Sequence, residues 1–311
     1  MNAASATRAR SRVYVLPPTG VLEITGRDAH TFLQGQLTND VFKVDVQTSQ
    51  MSAWCNARGR VIATLRLIDA GECLLLLLPL DQVQHVAERL RRFILRADVA
   101  IAARDDAMRG VGMRNGEARG RFHELGFEPP AATNAASLAD GAVVVRVPGA
   151  GERYEIYERS KSSQMQELVK ESSSGEDAGD WRAGNTAAGL PVVHAPNRER
   201  FLPQMLNMDL TGDVSFRKGC YTGQEIIART QNLGRVKRRM RRFEAEAPAV
   251  PGDPLFADGS PAGWIVEVAS VDAGTELLAV VPTAVRDHEL SAAESGNPSL
   301  RELPLPYSID P

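Results

Sequence analysis

The sequence predicts an α+β protein that ends in a small unit built from β-strands. In the first third of the chain, β-branched and apolar runs bounded by glycine, proline and aspartate alternate with segments of helical apolar spacing. After Pro248 the pattern changes to short strand-like runs separated by glycine and aspartate turns, which is typical of a small β-barrel or sandwich. A chain of 311 residues is long for one compact unit, so we expect two or three.

The N-terminal elements follow from this pattern. Asp28 is placed to begin a helix in which Phe32 and Leu33 lie at helical spacing, and Asp81 begins a second helix that runs to about Leu95. Strands are predicted at 12–16, 20–25, 50–55, 61–69 and 73–78. Strands with interspersed helices predict helices packed on a sheet.

The remaining elements are predicted by the same signals. Residues 162–170 and 224–230 are predicted to be helical, whereas 131–140 and 172–177 have the composition of loops. Further strands are predicted at 143–147, 154–157, 254–256, 262–271 and 276–281. Residues 1–10 are small and basic without the apolar core of a secretory signal, so we expect a flexible tail there.

Composition and charge indicate a soluble protein of a reducing compartment. Apolar residues make up 43% of the chain, charged residues 24%, and the net charge is −3. The longest apolar run, residues 73–80, is too short to cross a membrane, so no membrane contact is expected. The three cysteines, Cys55, Cys73 and Cys220, form no CxxC pair, and the five histidines lack metal-ligand spacing. We therefore expect a cytoplasmic protein without a stable metal.

The most distinctive stretch of the chain is residues 216–225, Phe-Arg-Lys-Gly-Cys-Tyr-Thr-Gly-Gln-Glu. Gly219 and Gly223 permit close approach of another group to this loop. Lys218 and the amides of the following helix favour the thiolate of Cys220, the form that attacks electrophiles or binds metals. A tight turn with an inert, buried cysteine remains the alternative, because no base can be placed beside the thiol from sequence.

Residues 218–225, the octapeptide, resemble the signature of the YgfZ family of folate-binding proteins. Further segments resemble that family in the same order along the chain: 24–28, 32–40, 56–60, 201–204, 207–209, 214–216, 226–229, 233–238 and 303–307. The resemblance therefore covers nearly the whole chain and is weakest over 105–180. A set of ordered segments around an eight-residue string is far more specific than a single glycine motif.

The resemblance implies a fold, a cofactor and a function. YgfZ proteins are similar to the glycine-cleavage T-protein, with two α+β lobes around a central folate pocket and a C-terminal β-barrel. On this basis we divide the chain into lobes at 1–110 and 111–245 and a barrel at 246–311. The implied cofactor is tetrahydrofolate or a derivative. The implied function is that of an accessory protein for iron–sulfur cluster assembly or repair, with assembly or client proteins as partners. It would support cluster enzymes that include tRNA-modifying ones, so contact with nucleic acid is expected to be indirect.

The resemblance also suggests which residues form the site. Trp181 lies in a segment similar to one in which the family's tryptophan is implicated in folate binding, although packing in a core remains the alternative for a large aromatic side chain. Cys220 is predicted to be a reactive thiol. The predicted wall of the folate pocket also contains Lys218, Gly219, Tyr221, Gly223, Gln224, Glu225 and Arg229.

Two acidic groups of T-proteins have no counterpart in this sequence. The position of the glutamate that binds the pterin falls on Ala187. The catalytic aspartate follows a glycine-containing turn in T-proteins, but here residues 58–60 are followed by Val-Ile-Ala-Thr. A transferase without its charged catalytic group is not expected to run the reaction at a useful rate. We therefore expect folate binding without aminomethyl transfer, and a one-carbon transferase remains the alternative.

A basic run extends from Arg229 to Arg242 and contains seven basic residues and no acid. It is a solvated face, a site for the glutamate tail of folate or a protein partner, or a surface for RNA phosphates. Direct tRNA binding is thus a third alternative for the function. The run has no interleaved aromatic residues, which disfavours stacking on single-stranded bases.

Overall fold

The computed structural model describes residues 13–104, 108–114, 117–124, 126, 128–139, 141–159, 163–172, 177–246, 248–271, 274–285, 290–294 and 300–309. The tail predicted at 1–10 and most of the loop predicted at 172–177 lie outside these residues. Within them, no helix is long and apolar enough to cross a membrane.

The described chain folds into helices and strands arranged in three sheets. The helices are α1 (Ala29–Gln34), α2 (Val83–Arg91), α3 (Glu117–Glu124), α4 (Ser163–Glu171), α5 (Asp177–Ala187) and α6 (Gln224–Leu233). The strands are β1 (Val13–Val15), β2 (Thr19–Thr25), β3 (Gln50–Cys55), β4 (Val61–Asp69), β5 (Leu74–Pro79), β6 (Ala100–Ala103), β7 (Gly110–Arg114), β8 (Ala136–Ala139), β9 (Ala142–Arg146), β10 (Arg153–Glu158), β11 (Arg238–Ala245), β12 (Pro254–Ala257), β13 (Ser260–Val271), β14 (Gly274–Pro282), β15 (Leu290–Ser291) and β16 (Arg301–Leu303).

The first sheet has the strand order β3-β4-β5-β2-β6 and is antiparallel throughout. One face packs against α1 and α2 through a core that includes Phe32, Leu33 and Val86. The other face carries Ile68 and Leu77, which pack against the second sheet. Because both faces are covered, eight consecutive residues of β4 are buried. This explains why the sequence there reads as a continuous apolar run.

The second sheet has the order β1-β7-β10-β9-β8, so the strand nearest the N-terminus pairs with β7, about a hundred positions later. Its outer face packs against α3 and α4 through Phe122, Met165 and Leu168. Its inner face holds Trp181 of α5 and meets the first sheet. The inner faces of the first and second sheets therefore pack against each other around Trp181.

The third sheet has the order β15-β12-β13-β14-β11-β16 and forms the C-terminal β-unit that the sequence predicts. Irregular pairing between Leu255 and Phe256, and between Ile265 and Glu267, interrupts its ladders. Such bulges bend strands and curl a sheet. The α+β class with a curled C-terminal sheet is confirmed, whereas the boundaries at 110 and 245 stay a prediction.

Several elements differ from the prediction, and the reasons are physical. The loop predicted at 131–140 is wrong in its last part, because Ala136–Ala139 form β8. Alanine and serine there have little intrinsic strand preference, and pairing with β9 decides their conformation. Helix α5 contains two glycines, which lower helix propensity, and its tertiary contacts keep it helical. Strand β11 falls in the basic run and has no apolar pattern strong enough to reveal it.

Candidate functional site

A cavity of about 140 Å³ lies where the three sheets meet. We call it the central cavity. Its apolar lining consists of Leu16, Pro17, Pro18, Met51, Leu65, Leu77, Leu78, Pro79, Val147, Leu190, Pro191 and Val192. Its polar lining consists of Thr19, Thr64, Arg66, Glu155, Tyr157, Arg182, Asn185, His194 and Glu267. An apolar cavity with a few placed polar groups is the usual form of a small-molecule site.

Glu155 is the carboxylate that β10 presents to the central cavity. Its Oε1 accepts a hydrogen bond of 3.0 Å from the Trp181 indole N–H, and its Oε2 accepts one of 2.9 Å from the Tyr157 hydroxyl. Burial raises the pKa of Tyr157 well above its usual range, so this hydroxyl keeps its proton. Both donors are neutral and hold the carboxylate in place without cancelling its charge.

Trp181 is completely buried behind Glu155 and does not itself line the central cavity. Its ring packs against Tyr14, with 5.6 Å between centroids, and the Arg153 guanidinium carbon lies 4.4 Å from the ring centroid. At Gly112 a Cβ atom would lie 2.5 Å from the indole, so the ring fits against bare backbone. The tryptophan thus acts on the cavity through the carboxylate that it holds.

A second carboxylate, Glu267 of β13, lines the central cavity together with His194. The His194 Nε2 lies 3.3 Å from Glu267, and its Nδ1 lies 3.5 Å from Asp81. Burial lowers the pKa of His194, but hydrogen bonds to Asp81 and Glu267 outweigh it and raise this pKa to about 9. The imidazole is therefore a cation at neutral pH and lies between the carboxylates of Asp81 and Glu267.

The donors of the central cavity complement these acceptors. The Asn185 Oδ1 accepts a hydrogen bond of 2.7 Å from Arg153, and no other hydrogen bond of its side chain occurs in the described part of the chain. Its NH₂ group is thus available to a ligand. Arg182, one turn before it on α5, also lines the cavity. A flat ring that carries both donors and acceptors on its edges matches this set of groups.

The octapeptide lies elsewhere, since none of its residues lines the central cavity. Lys218 is anchored in protein: its ammonium donates to the carbonyl oxygens of Gln34, Leu37 and Asn39 at 2.7, 2.7 and 2.9 Å. Burial lowers the pKa of Lys218 to about 8, with Asp40 opposing this. The ammonium thus ties the loop to the C-terminal end of α1, where cations and carbonyl oxygens attract each other.

The two glycines of the octapeptide differ in their surroundings. Gly223 has a φ of +85°, and a Cβ there would lie 2.4 Å from the Asn56 carbonyl oxygen and 2.9 Å from the Gly59 Cα. The close approach predicted for Gly223 is therefore made by the turn at residues 56–60. A Cβ at Gly219 would meet nothing within 4 Å.

The other predicted site residues of this region are spread between core and surface. Tyr221 is buried in a core cluster, and the Lys218 ammonium lies 5.1 Å from its ring centroid. Gln224 begins α6 and is half-buried. Glu225 and Arg229 are exposed and pair with each other at 3.0 Å. The structure thus brings these residues together around the start of α6 and keeps Trp181 apart from them, in the core cluster beside the central cavity.

Cys220 is exposed, whereas Cys55 is buried and Cys73 is partly buried. Burial raises the pKa of Cys55 far above its usual range, so that thiol is inert. Among the described residues no group of three or more histidine, cysteine or acidic side chains is arranged to hold a metal ion. Cys220 is therefore the thiol that a macromolecular partner can reach most easily.

The basic run is largely neutralised by carboxylates. The ion pairs are Arg229 with Glu225, Arg239 with Asp209, Arg241 with Glu302 and Arg242 with Glu276. Arg239 binds Asp209 through two nitrogen atoms, at 2.6 and 3.0 Å. Arg235, Lys237 and Arg238 have no ion-pair partner in the described ranges, and Arg235 and Lys237 are exposed. Four of the seven cations are paired, so the run supplies less free charge than its composition indicates.

With this geometry in view, known proteins of similar sequence can be compared. The tRNA-modifying protein YgfZ of Klebsiella pneumoniae is 29% identical, and the match covers 98% of this chain and 96% of that protein. The tRNA-modifying protein YgfZ of Yersinia pseudotuberculosis is 26% identical over 93% and 90%. The chain is similar to the YgfZ proteins over nearly its whole length. No protein-family model matches it. The resemblance to YgfZ that the octapeptide and its companion segments predict is confirmed.

The fold of this YgfZ-like chain also has a counterpart among solved structures. Aminomethyltransferase T of the glycine cleavage system from Bartonella henselae matches 91% of this chain and 82% of its own, with a TM-score of 0.67. The sequence identity is 16%, so this likeness shows the fold alone. The predicted T-protein-like fold is confirmed.

The sequence did not reveal that Glu155, Glu267 and His194 line the central cavity. They come from two sheets and a loop and have no shared motif. The sequence predicted that the glutamate of T-proteins has no counterpart here, because its position falls on Ala187, and the carboxylates that line the central cavity come instead from β10 and β13.

Proposed function

We propose that the chain binds tetrahydrofolate or a derivative in the central cavity. In that form it serves as an accessory protein for the assembly or repair of iron–sulfur clusters, including those of tRNA-modifying enzymes. The likeness to proteins named as tRNA-modifying and the T-protein-like fold support this proposal. The partners on this proposal are cluster-assembly or client proteins, and the chain supports tRNA modification through them.

The observation that carries the folate proposal is Glu155, a carboxylate held by Trp181 and Tyr157 at an apolar cavity. A pterin presents a ring N–H beside an amino group, and two adjacent donors match two carboxylate oxygens. Each Glu155 oxygen already accepts one hydrogen bond and has a lone pair left for a second. On this proposal Trp181 positions Glu155, and Glu155 contacts the folate.

The size of the central cavity limits how much of the ligand it can hold. A cavity of roughly 150 Å³ holds a benzene-sized ring, and the central cavity has a volume of about 140 Å³. A pterin has two fused rings, so on this proposal the cavity takes the edge of the pterin that pairs with Glu155, and the remainder of the folate extends towards solvent. Arg182 and Asn185 also line the cavity and would bind other polar groups of the ring.

The exposed position of Cys220 fits a role outside the central cavity. Its thiol is exposed and lies in a loop that Lys218 fixes to α1. On this proposal the thiol contacts the cluster or the client protein, and folate binding in the interior regulates or supports that contact. The turn at residues 58–60 lies against α6 and does not line the cavity, which favours binding over transfer chemistry.

A titration tests the folate proposal. Tetrahydrofolate is titrated into the wild type, Glu155→Gln and Trp181→Phe, and binding is followed by isothermal calorimetry. We expect Glu155→Gln to weaken binding about tenfold or more, because a charge-assisted hydrogen-bond pair is lost. Trp181→Phe removes the N–H donor together with part of the ring volume and is expected to weaken binding by about three- to tenfold.

Trp54→Phe is the matched control, because Trp54 is equally buried and donates its N–H to Gln36 outside the cavity. It is expected to bind folate like the wild type. Absence of saturable binding to the wild type would contradict the proposal, as would equal loss in Trp54→Phe and Trp181→Phe. Turnover of a methylated amine with tetrahydrofolate would instead support the transferase alternative.

Complementation tests the thiol. In a strain without the protein, Cys220→Ser is expected to fail to restore the activity of cluster enzymes, whereas Cys73→Ser restores it. Cys73 is a suitable control because it is a partly buried cysteine in another part of the fold. Full activity with Cys220→Ser would show that the thiol has no role.

A further inference from the structure

Three arginines from two separate segments of the chain converge on a groove beside α6. Arg58 and Arg60 come from the turn after β3, and Arg200 comes from the segment before Phe201. We call this the arginine groove. It has a volume of about 590 Å³ and is lined further by Asn56, Ala57, Glu199 and Ile226.

The guanidinium groups of these three arginines have no carboxylate partner among the described residues. Arg58 is exposed and makes no side-chain hydrogen bond there. Arg60 donates to the Arg200 carbonyl oxygen at 2.8 Å. Arg200 lies over the Trp264 ring, 3.6 Å from its centroid, and donates a hydrogen bond to the Pro196 carbonyl oxygen at 3.4 Å.

The carboxylates near the groove are already bound to other arginines. Glu199, the acidic residue of the lining, accepts a hydrogen bond of 2.6 Å from Arg89. Glu225, one residue before Ile226, pairs with Arg229. The arginine groove therefore carries an excess of positive charge, although the whole chain has a net charge of −3. Like charges that are held close together without a counter-ion repel each other, and an anionic ligand relieves this repulsion.

The backbone that presents these arginines is well held. The Asn56 Oδ1 accepts hydrogen bonds from the backbone N–H groups of Arg58 and Arg60, at 2.9 and 3.0 Å. The backbone of Val61 donates to Phe201 and accepts from Glu199, both at 2.8 Å. The two arginine-bearing segments are thus joined, so the backbone positions from which the arginines extend are set before a ligand binds.

We propose that the arginine groove binds the phosphate backbone of an RNA strand. Arginine forks match phosphate oxygens in a bidentate geometry. The groove is open and its arginines are half-buried or exposed, so it does not enclose a small anion. A polyanion gains affinity there through counter-ion release, which requires no enclosure. This inference is independent of folate binding, since no residue lines both the groove and the central cavity.

On this inference the RNA-binding surface is the arginine groove and not the basic run at 229–242. Four cations of that run are bound to carboxylates. The arginine groove is assembled from positions 58, 60 and 200, which do not form a run in the sequence.

A salt-dependent binding measurement tests the inference. Fluorescence anisotropy follows the binding of a fluorescein-labelled, unmodified tRNA transcript between about 50 and 200 mM salt. The full chain is compared with Arg58→Gln/Arg60→Gln and with Arg235→Gln/Lys237→Gln, which removes two free charges from the basic run. We expect the first variant to lower the slope of log affinity against log salt by about 1.4 to 1.8, since each phosphate contact contributes about 0.7 to 0.9. The second variant is expected to lower it less.

Arg60 also donates a hydrogen bond to the Arg200 carbonyl oxygen, and its substitution removes this bond. Thermal unfolding is therefore recorded for each variant to separate a loss of stability from a loss of binding. Arg58→Gln alone changes only an exposed side chain and is expected to lower the slope by about 0.7. Three outcomes would overturn the inference. The two double variants could lower the slope equally, Arg58→Gln/Arg60→Gln could bind tRNA like the wild type, or polyglutamate could bind as tightly as tRNA at the same salt. Tetrahydrofolate binding is expected to remain unchanged in Arg58→Gln/Arg60→Gln, so failure of this proposal is distinguishable from failure of the folate proposal.

Discussion

At the scale of single residues, Lys218 shows how a side chain with the signature of a reactive site can be structural. Its ammonium satisfies three backbone carbonyls at the end of α1. Gln34 is the last residue of α1, and Leu37 and Asn39 follow it, so these carbonyls have no partner within the helix. A cation in this position neutralises several acceptors at once.

Lys218→Met is expected to lower the free energy of unfolding by about 2 to 4 kcal/mol, because carbonyls that accept charged hydrogen bonds are left unsatisfied. Urea denaturation measures this change. Arg217→Met is the matched control, since Arg217 is the neighbouring exposed cation and is expected to change stability by less than about 0.5 kcal/mol. Equal stability of the two variants would show that Lys218 has no anchoring role.

Residue types alone predicted little of the candidate site. The octapeptide shows a lysine, a thiol and two glycines, but their partners at positions 34–39 and 56–59 are far away in sequence. Trp181 was predicted as a folate contact from resemblance, and that role stays a prediction. Its bond to Glu155 joins α5 to β10, and no sequence period links those two positions.

At the scale of elements, the start of α6 is defined by its contact with the turn at residues 56–60. Gly223 adopts a left-handed conformation one residue before the helix and touches Asn56 and Gly59. Gly59 also has a positive φ, of +70°. Two glycines thus allow two backbones to meet where side chains would prevent contact.

Gly223→Ala is expected to destabilise the fold by about 2 to 4 kcal/mol, because the new Cβ would lie 2.4 Å from the Asn56 oxygen and the backbone is left-handed. Gly219→Ala places a Cβ in open space four residues earlier and is expected to change stability by less than about 0.5 kcal/mol. The midpoints of thermal unfolding of the two variants provide the comparison. An unchanged midpoint of thermal unfolding in Gly223→Ala would show that α6 is free to shift.

Strand β11 illustrates why the basic run was hard to interpret. Along the sequence its arginines follow one another without an acid. In the sheet, Glu276 of β14 and Glu302 of β16 lie on neighbouring strands and pair with Arg242 and Arg241. Cross-strand pairs of opposite charge stabilise a sheet, and register alone determines which charges meet.

At the scale of the whole molecule, His194 connects the first and third sheets beside the central cavity. Asp81 precedes α2, which packs on the first sheet, and Glu267 belongs to β13. The loop that carries His194 is held further by the Val193 N–H, which donates to the Thr64 hydroxyl at 3.0 Å. The protonated imidazole therefore stabilises the assembly of the cavity itself.

This arrangement predicts a pH dependence. The pKa of His194 is about 9 in the folded protein and 6.5 in the unfolded chain. Protonation therefore contributes stability that is fully present below pH 6.5 and is lost as the pH rises towards about 9. The contribution is at most about 3 kcal/mol. Urea denaturation from pH 6 to about 9.5 is expected to show this loss in the wild type and not in His194→Gln.

His123→Gln provides the control, because His123 is exposed on α3. Its stability is expected to follow the wild type across the same pH range. Parallel pH profiles of the wild type and His194→Gln would show that the imidazole is neutral in the folded protein.

The sequence by itself determined the class of the fold, most strand positions and the likeness to YgfZ proteins. Strand periodicity and the octapeptide are local, contiguous signals, and such signals can be read without knowing what packs where. Only the tertiary structure decided that Glu155, Glu267 and His194 meet at one cavity. It alone decided that the run at 229–242 is largely neutralised while Arg58, Arg60 and Arg200 are not. The physical reason is that charge and burial depend on spatial neighbours, which here are separated by tens to more than a hundred residues along the chain.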